Sequence, residues 1–241
     1  MQNKDKVALF DFCETIANFQ TADAYVRYVQ SHSAPTNTGV RMLYNILNKS
    51  RVLGVVRRLK PKGSIDKRFI LKQMKGRTFD EMDRLAKEYY QNKIKPNMIA
   101  PVVAELKRLQ SEGYSCYVIS AGYDIYLKYF CEDFRIDGLL STKVEFKDGI
   151  CTGKFDGQDC MFEYKIDYIN SAIQGDRRQW FAFSDSVTDL PMLELVGNPV
   201  VISCGKSQKW AEKRNIKQII WNNNNKYNGC KKNNSRYYPL G

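Results

Sequence analysis

Three short runs of apolar residues, far apart in the chain, are each followed closely by polar residues that can carry chemistry. The runs are 7–10, 116–119 and 180–183, and the residues beyond them include Asp11, Ser120 and Asp185. Unbroken apolar runs of this length are typical of strands that are buried on both faces of a parallel sheet. In an open parallel sheet, ligands bind beyond the carboxyl ends of the strands. The sequence therefore predicts a parallel sheet with one crevice at which these three segments converge.

From residue 96 onward the pattern alternates between helix and strand. Apolar spacing predicts helices near 102–109, 123–131, 163–174, 189–196 and 207–214, and strands at 115–119, 180–184, 200–203 and 217–221. The segment 144–153 predicts a β-hairpin, with its turn at Asp148 and Gly149. Such alternation is typical of an α/β domain.

The segment 18–95 differs, because its apolar residues recur at helical spacing. Helical stripes are predicted at 22–29, 40–47, 52–59 and 82–86. Ser64 and Thr78 are predicted N-caps, the second forming a capping box with Glu81. We therefore expect three parts: a catalytic core made of 1–17 and 96–221, a helical cap domain at 18–95, and a loosely attached Asn- and Lys-rich tail at 222–241.

The chain's net charge of +12 is concentrated in the predicted cap, which holds 17 Lys and Arg residues against 6 Asp and Glu residues. A basic segment joined to a nearly neutral core would attract anions. A solvated helical surface would have the same composition, so both interpretations stay open.

Composition argues against several other classes of protein. An apolar fraction of 43% is enough for a core in 241 residues, and no run of about 18 apolar residues predicts a membrane span. The seven cysteines show no CxxC spacing, which favours reduced thiols in a cytoplasmic protein over a zinc site. We expect no signal peptide and no glycine-rich nucleotide loop. The single histidine, His32, is expected to serve at a helix end rather than in catalysis.

Each polar segment has an ordinary structural explanation when it is taken alone. Asp11 could cap a helix, and Lys165 could lie on a helix surface. Together and in this order, however, the segments 11–15, 120–122 and 183–199 with Lys165 resemble the haloacid dehalogenase superfamily. The resemblance extends from residue 5 to about 221 and is closest to the branch that includes phosphoserine phosphatase. It implies a Rossmann-like α/β core with a parallel sheet and an inserted all-helical cap of the C1 type.

The resemblance also implies a catalytic role for several residues. Asp11 would be the nucleophile that forms an aspartyl-phosphate, and Lys165 would balance its charge. A magnesium ion would be held by the carboxylates of Asp11 and Asp185 and by the backbone carbonyl of Cys13.

A second set of residues would hold the phosphoryl group. Ser120 and Lys165 would bind its oxygens, while Thr15, Ala121 and Gly122 would complete the cradle. Asp189 would lie behind these groups and orient Lys165 or a metal-bound water.

Cys13 departs from the family pattern, which has a second aspartate there that protonates the leaving alkoxide and then activates water. A thiol has a reference pKa of about 8.5, against about 3.9 for aspartate. A nearby lysine and metal could lower that value. Cys13 is therefore compatible with a slower phosphatase, with one adapted to particular leaving groups, or with a long-lived aspartyl-phosphate. Glu14 is a less favoured substitute for the missing carboxylate.

Gln20 is a second departure, because phosphoserine phosphatases carry a glutamate at this position to meet the substrate ammonium. An amide has no charge to offer, which weakens the case for phosphoserine as the substrate. A phosphorylated amino alcohol, polyol or sugar fits as well as an amino-acid phosphate does.

The sequence thus predicts a magnesium-dependent phosphatase of a small phosphorylated metabolite, with no nucleic-acid partner and an undetermined oligomeric state. One alternative is a phosphotransferase that uses the same site. Another is a non-catalytic anion-binding protein of this fold, whose basic cap contacts nucleic acid or a membrane. The presence of Asp11, Ser120, Lys165, Asp185 and Asp189 together favours an enzyme.

Overall fold

A computed structural model describes residues 5–34, 39, 65–161 and 163–222. Its strands are β1 Val7–Phe10, β2 Ser115–Tyr123, β3 Gly138–Lys147, β4 Ile150–Asp156, β5 Phe181–Ser184, β6 Asn198–Cys204 and β7 Lys217–Trp221. Within the described residues they form one seven-stranded sheet in the order β4-β3-β2-β1-β5-β6-β7. Every neighbouring pair is parallel except β3 with β4. The predicted α/β fold with a mainly parallel sheet is confirmed.

Strand β1 lies at the centre of the sheet because its apolar residues can be buried on both faces. All four of its side chains are fully buried. Phe10 pairs with Val118 of β2 on one side and with Phe183 of β5 on the other, and the Phe10 and Phe183 rings stack with centroids 4.4 Å apart. The carboxyl ends of the three strands are therefore neighbours, as the sequence predicted.

Helices flank this sheet. The α-helices of the described residues are α1 Thr21–His32, α2 Ile65–Lys72, α3 Phe79–Tyr89, α4 Ala100–Ser111, α5 Asp124–Asp133, α6 Glu163–Ala172, α7 Leu190–Glu194 and α8 Lys209–Glu212. A π-helix at Tyr90–Ile94 and a 3-10 helix at Lys95–Asn97 continue α3 towards the core.

Strand β2 is longer than the sequence pattern indicated. It runs to Tyr123, which pairs with Thr142 of β3 across a shift in register. The strand predicted at 115–119 therefore continues through 120–122. Strand β3 likewise begins at Gly138, because its first half pairs in parallel with β2 before it enters the predicted hairpin. Pairing of this kind between distant segments leaves no local trace in the sequence.

Two late helices are shorter than predicted. A 3-10 helix at Val187–Asp189 precedes the short helix α7, which is the α-helix within 189–196, and 207–214 contains only α8. Pro191 occupies the first turn of α7, where its missing N–H costs no helical hydrogen bond.

The described part of 18–95 is helical, but the predicted helices at 40–47 and 52–59 and the predicted N-cap Ser64 lie outside the described residues. So does nearly all of the 222–241 tail. The predicted cap of α3 is confirmed on one side, since the Thr78 hydroxyl accepts a hydrogen bond from the Glu81 amide at 3.2 Å. The Glu81 carboxylate pairs with Arg77 at 2.9 Å. The division into core, cap and tail stays a prediction.

Backbone hydrogen bonds join the link between α2 and α3 to strand β4. The Gly76 amide donates to the Cys151 carbonyl at 2.9 Å, and the Cys151 amide donates to the Arg77 carbonyl at 2.8 Å. The Phe79 amide donates to the Gly149 carbonyl at 2.7 Å. The link thereby covers the outer edge of β4 and holds α2 next to the core.

Several expectations outside the site can be compared with the structure. Five cysteines, at 13, 116, 131, 151 and 160, carry free thiols, but Cys204 is disulfide-bonded, so the expectation of reduced thiols is wrong for Cys204. His32 ends α1, where its Nδ1 lies 2.8 Å from the Tyr28 carbonyl. In the part of the chain that the structure describes, no helix has the length and hydropathy needed to span a membrane.

Candidate active site

Asp11 is held at the carboxyl end of β1 by the sheet itself. Its amide donates to the Phe183 carbonyl of β5 at 2.9 Å, and only 7% of its surface is exposed. Burial raises the pKa of this carboxyl group to about 6, although the neighbouring Lys165 acts in the opposite direction. A carboxylate fixed in this way faces the crevice beyond the strand ends.

Lys165 enters the same space from α6 and bridges two carboxylates. Its Nζ donates to Asp11 Oδ1 and to Asp189 Oδ2, each at 2.7 Å. Asp189 Oδ2 also accepts from the Ser184 hydroxyl at 2.7 Å. Burial lowers the pKa of Lys165, but the two carboxylates outweigh it and raise the pKa above its ordinary value. Lys165 is therefore a fixed positive charge that contacts Asp11.

Thr15 connects Asp11 to Asp185. Its hydroxyl lies 3.3 Å from Asp11 Oδ2 and 3.2 Å from Asp185 Oδ1, and it accepts from the Asp185 amide at 3.0 Å. One hydroxyl has a single proton for two carboxylates, so it compensates little of their charge. Burial, and after it the charge of Asp11, raise the pKa of Asp185 well above its ordinary value. The pair is thus crowded with negative charge.

The segment 120–122 lies near the carboxyl end of β2, the strand next to β1. Ser120 is fully buried, and its Oγ accepts from the Gly122 amide at 3.0 Å. A side chain at Gly122 would not fit, because its Cβ would lie 2.5 Å from the Tyr126 hydroxyl and 2.9 Å from Leu127 Cδ1. The carbonyl of Ala121 accepts a hydrogen bond from Lys67 of α2.

The Cys13 thiol belongs to a chain of hydrogen bonds that leads away from the carboxylates. Its Sγ lies 3.0 Å from the Thr21 hydroxyl, which lies 2.7 Å from the Tyr126 hydroxyl. Desolvation raises the pKa of Cys13 to about 11, and the charge of Asp11 adds to this effect. The direction is opposite to the lowering that the sequence left open. The thiol is therefore protonated at neutral pH.

Gln20 does not stand alone at the start of α1. Its Nε2 donates to Glu14 Oε2 at 2.8 Å, and Glu14 has a left-handed backbone with φ of 58°. The charge of Glu14 contributes to the raised pKa of Asp185, after burial and Asp11. The amide at position 20 thus comes with a carboxylate beside it.

Sequence reasoning missed a cluster beside the 120–122 segment, formed by Lys67, Thr142 and Asp159. Lys67 had no signal of its own, since it is one of 17 basic residues in 18–95. Thr142 lies in β3, whose parallel pairing with β2 was not predicted. Ser184 was missed as a partner of Asp189, although it directly precedes Asp185 in the strand-end segment.

Comparisons with known proteins agree with this geometry. Residues 8–194 match the family of haloacid dehalogenase-like hydrolases. A phosphoserine phosphatase from Methanocaldococcus jannaschii is 25% identical over 91% of this chain and 98% of its own length. A histidinol-phosphatase from Neisseria meningitidis is 31% identical over 44% of this chain and 53% of its own length.

A protein of unknown function from Bordetella pertussis has a similar solved structure. Its TM-score is 0.73 at 20% identity, over 90% of this chain and 99% of that one. At this identity the likeness concerns the fold alone. The match over residues 8–194 covers most of the chain. The chain therefore belongs to the haloacid dehalogenase-like hydrolase family, in which it is phosphoserine phosphatase-like and a hydrolase of the phosphatase type.

Proposed function

We propose that this protein hydrolyses a small phosphorylated metabolite through a phosphoryl group carried by Asp11. The observation that carries the proposal is the buried bridge from Asp11 through Lys165 to Asp189, with both contacts at 2.7 Å. A lysine in this position neutralises the nucleophile without occupying both of its oxygens. The family and the phosphatases among the relatives support the same reaction class.

In the first step an oxygen of Asp11 attacks phosphorus, and the bond between phosphorus and the ester oxygen breaks. The leaving alkoxide takes up one proton. In the second step water attacks phosphorus and loses a proton, the bond between phosphorus and the Asp11 oxygen breaks, and inorganic phosphate is released. Asp11 must be ionised to attack, and the charge of Lys165 favours that form against the burial that raises the pKa of Asp11 to about 6 in the metal-free protein.

The site has more carboxylates than cationic side chains, so a divalent cation would balance its charge. The buried carboxylates of Asp11 and Asp189 both contact Lys165, and the half-buried Asp185 is linked to Asp11 through the Thr15 hydroxyl. No group of three or more His, Cys, Asp or Glu side chains in the described residues is arranged to hold a metal. Two carboxylates, a backbone carbonyl and retained waters nevertheless suit Mg²⁺, which prefers oxygen ligands and keeps part of its water shell. Asp11, Asp185 and the Cys13 carbonyl would hold it.

Bound Mg²⁺ would reduce the repulsion between the Asp11 carboxylate and an anionic phosphate ester. Ser120 would donate its hydroxyl proton to a phosphoryl oxygen, and Lys165 would contribute its charge. Thr15 and the backbone N–H groups of the loop after β1 would complete the cradle. Asp189 would keep Lys165 oriented towards Asp11.

Cys13 determines how protons move in this proposal. A thiol can donate a proton to the leaving alkoxide, but the thiolate that remains regains a proton from water at neutral pH, and a protonated thiol activates water poorly. Hydrolysis of the phosphorylated Asp11 is then the slower half of the reaction. The same observation supports a second candidate function, transfer of the phosphoryl group to the hydroxyl of another metabolite.

Gln20 and Glu14 bear on the substrate. The carboxylate that phosphoserine phosphatases carry at position 20 is absent, but Glu14 places a negative charge 2.8 Å from the Gln20 amide. The pair could therefore meet an ammonium or a hydroxyl group. Phosphorylated amino alcohols and amino acids are candidates on the first account, and polyol and sugar phosphates on the second.

A substrate screen tests the proposed function. Release of inorganic phosphate is measured for amino-acid, amino-alcohol, polyol and sugar phosphates, with Mg²⁺ and with a chelator. We expect Mg²⁺-dependent turnover of at least one class, and a gain when acceptor alcohols are added if transfer competes with hydrolysis. Absence of turnover in all four classes, with Mg²⁺ present, contradicts the proposal.

A further inference from the structure

Lys67 reaches from the cap helix α2 into the core, and all three protons of its ammonium group have acceptors. It donates to the Ala121 carbonyl, to the Thr142 hydroxyl at 2.8 Å and to Asp159 Oδ1. Its side chain is 11% exposed. An ammonium group has three donors, so Lys67 has none left for a substrate. Lys67 can therefore act only through the groups that accept its hydrogen bonds.

One of its acceptors belongs to the phosphate-binding segment. The carbonyl of Ala121 and the amide of Gly122 form a single peptide group. That amide donates to Ser120 Oγ at 3.0 Å. A cation on the carbonyl side polarises the peptide group and strengthens the hydrogen bond on the amide side. A Ser120 oxygen that accepts from Gly122 keeps its own proton for another partner.

We propose that Lys67 is a positioning residue for Ser120, acting through the peptide group between Ala121 and Gly122. By fixing the Ala121 carbonyl, Lys67 holds the Gly122 amide on Ser120 Oγ and directs the serine proton to the phosphoryl group. The proposal rests on the proposed function, because Ser120 has a phosphoryl group to bind only in that reaction.

The surroundings of Lys67 fit a fixed position. Thr142 donates to Asp159 Oδ1 at 2.6 Å and accepts from the Cys160 amide at 3.1 Å. The second oxygen of Asp159 is buried and has no hydrogen-bond partner within the described ranges. Lys67 is therefore the cation that compensates the charge of the Asp159 carboxylate. The ammonium group also lies 5.1 Å from the centroid of the Tyr123 ring. Burial lowers the pKa of Lys67, and the charge of Asp159 counteracts this effect.

The cap helix that carries Lys67 is itself held in place. A Cβ at Gly153 of β4 would lie 3.0 Å from the backbone of Lys72 in α2, so the two elements are in close contact. Together with the backbone bonds from Gly76 and Arg77 to Cys151, this contact keeps α2 against the hairpin. Lys67 thus couples a helix in the predicted cap to the phosphate-binding segment of the predicted core.

Kinetics of matched variants test the proposal. Lys67→Met should lower kcat roughly tenfold, the order expected when a charge-assisted contact is lost. Lys67→Arg should recover part of the loss. Arg68→Met removes a charge from the same helix at an exposed position, where the guanidinium lies over Phe155 at 5.5 Å, and it should leave kcat near wild type. If Lys67→Met does not fold, Lys67→Gln replaces it with the same expectation.

A double variant separates positioning from general destabilisation. If Lys67 acts through Ser120, Lys67→Met should cause little further loss of kcat in a Ser120→Ala background. A purely structural role would make the two losses multiply, and that result would overturn the proposal.

A readout without turnover distinguishes this proposal from the proposed function. The amide proton resonance of Gly122 should shift in Lys67→Met and keep its wild-type position in Arg68→Met. An unchanged Gly122 resonance in Lys67→Met contradicts the proposal even if the wild type is an active phosphatase. Inactivity of the wild type towards all phosphate esters would refute the proposed function, and the resonance would still show whether Lys67 controls the peptide group.

Discussion

Replacing a carboxyl group by a thiol at position 13 changes what that residue can do with a proton. The Cys13 thiol has a pKa raised to about 11, mainly by desolvation, and it contacts the Thr21 hydroxyl at 3.0 Å. It can supply a proton but rarely accepts one at neutral pH. The chemistry of the site therefore depends on whether this residue limits the second step.

We expect Cys13→Asp to increase hydrolysis of the phosphorylated enzyme by about tenfold or more, because general base catalysis is worth roughly 10²–10⁴-fold. Cys13→Ala should lower turnover, most of all for substrates with poor leaving groups. Steady-state and single-turnover kinetics of the three proteins measure both effects. Unchanged turnover in Cys13→Ala would show that the thiol contributes nothing to proton transfer.

Asp185 gives a prediction for stability. Burial and the charge of Asp11 raise its pKa well above 3.8. A carboxyl group with a raised folded-state pKa destabilises the folded protein above that pKa, and the cost disappears as the pH falls to the unfolded-state value. Asp185→Asn should therefore raise the free energy of unfolding of the metal-free protein at neutral pH. The gain should shrink as the pH approaches 4.

The same variant tests the metal assignment, with Glu14→Gln as the matched control. Mg²⁺ should raise the melting temperature of the wild type and of Glu14→Gln, and much less that of Asp185→Asn. Both substitutions remove one carboxylate and keep the side-chain size. An equal response of the two variants to Mg²⁺ would count against Asp185 as a ligand.

Individual site residues could be predicted where a residue type suited to catalysis stood at the expected place in the order of the motifs. Asp11, Lys165, Asp185 and Asp189 were predicted to meet, and the structure brings them into hydrogen-bond contact directly or through Thr15. Lys67 could not be predicted, since its contacts depend on the packing of helix α2 against β3 and β4. The sequence does not show which of the many basic residues in 18–95 is buried.

At the level of elements, strand cores were predictable and strand ends were not. The fully buried strand β1 could be predicted from composition, because its four residues are all apolar. The extension of β2 to Tyr123 depends on pairing with β3, a segment that follows later in the chain. Element boundaries therefore had to come from the structure.

The segment 18–95 is strongly basic. It comprises 17 Lys and Arg residues against 6 Asp and Glu residues. If it draws anionic substrates to the crevice, kcat/KM should fall severalfold between low and physiological ionic strength while kcat changes little. Initial rates across a salt series, with a substrate whose capture is limited by association, measure this. A kcat/KM that does not respond to salt would leave the basic helices as a solvated surface.

For the whole molecule, the fold and the family follow from a few segments that are far apart in sequence. The segments at 11–15, 120–122 and 183–199 predicted that three strand ends of a parallel sheet converge, and β2, β1 and β5 are neighbours in the sheet. The position of α2 and α3 against the sheet, in contrast, depends on contacts such as those of the Gly76 amide with β4 and of the Phe79 amide with the turn before β4. Such backbone contacts carry no side-chain signature, so sequence alone does not reveal them.

If Asp11 carries the phosphoryl group, enzyme that is acid-quenched during turnover should contain that group, and mass spectrometry of the quenched protein measures it. We expect one added phosphoryl group on the peptide that contains Asp11, in the presence of Mg²⁺ and a substrate found by the screen. Asp11→Asn should lack both the added group and turnover while it remains folded. Substantial Mg²⁺-dependent turnover by Asp11→Asn, or a phosphoryl group on another residue, would contradict the assignment.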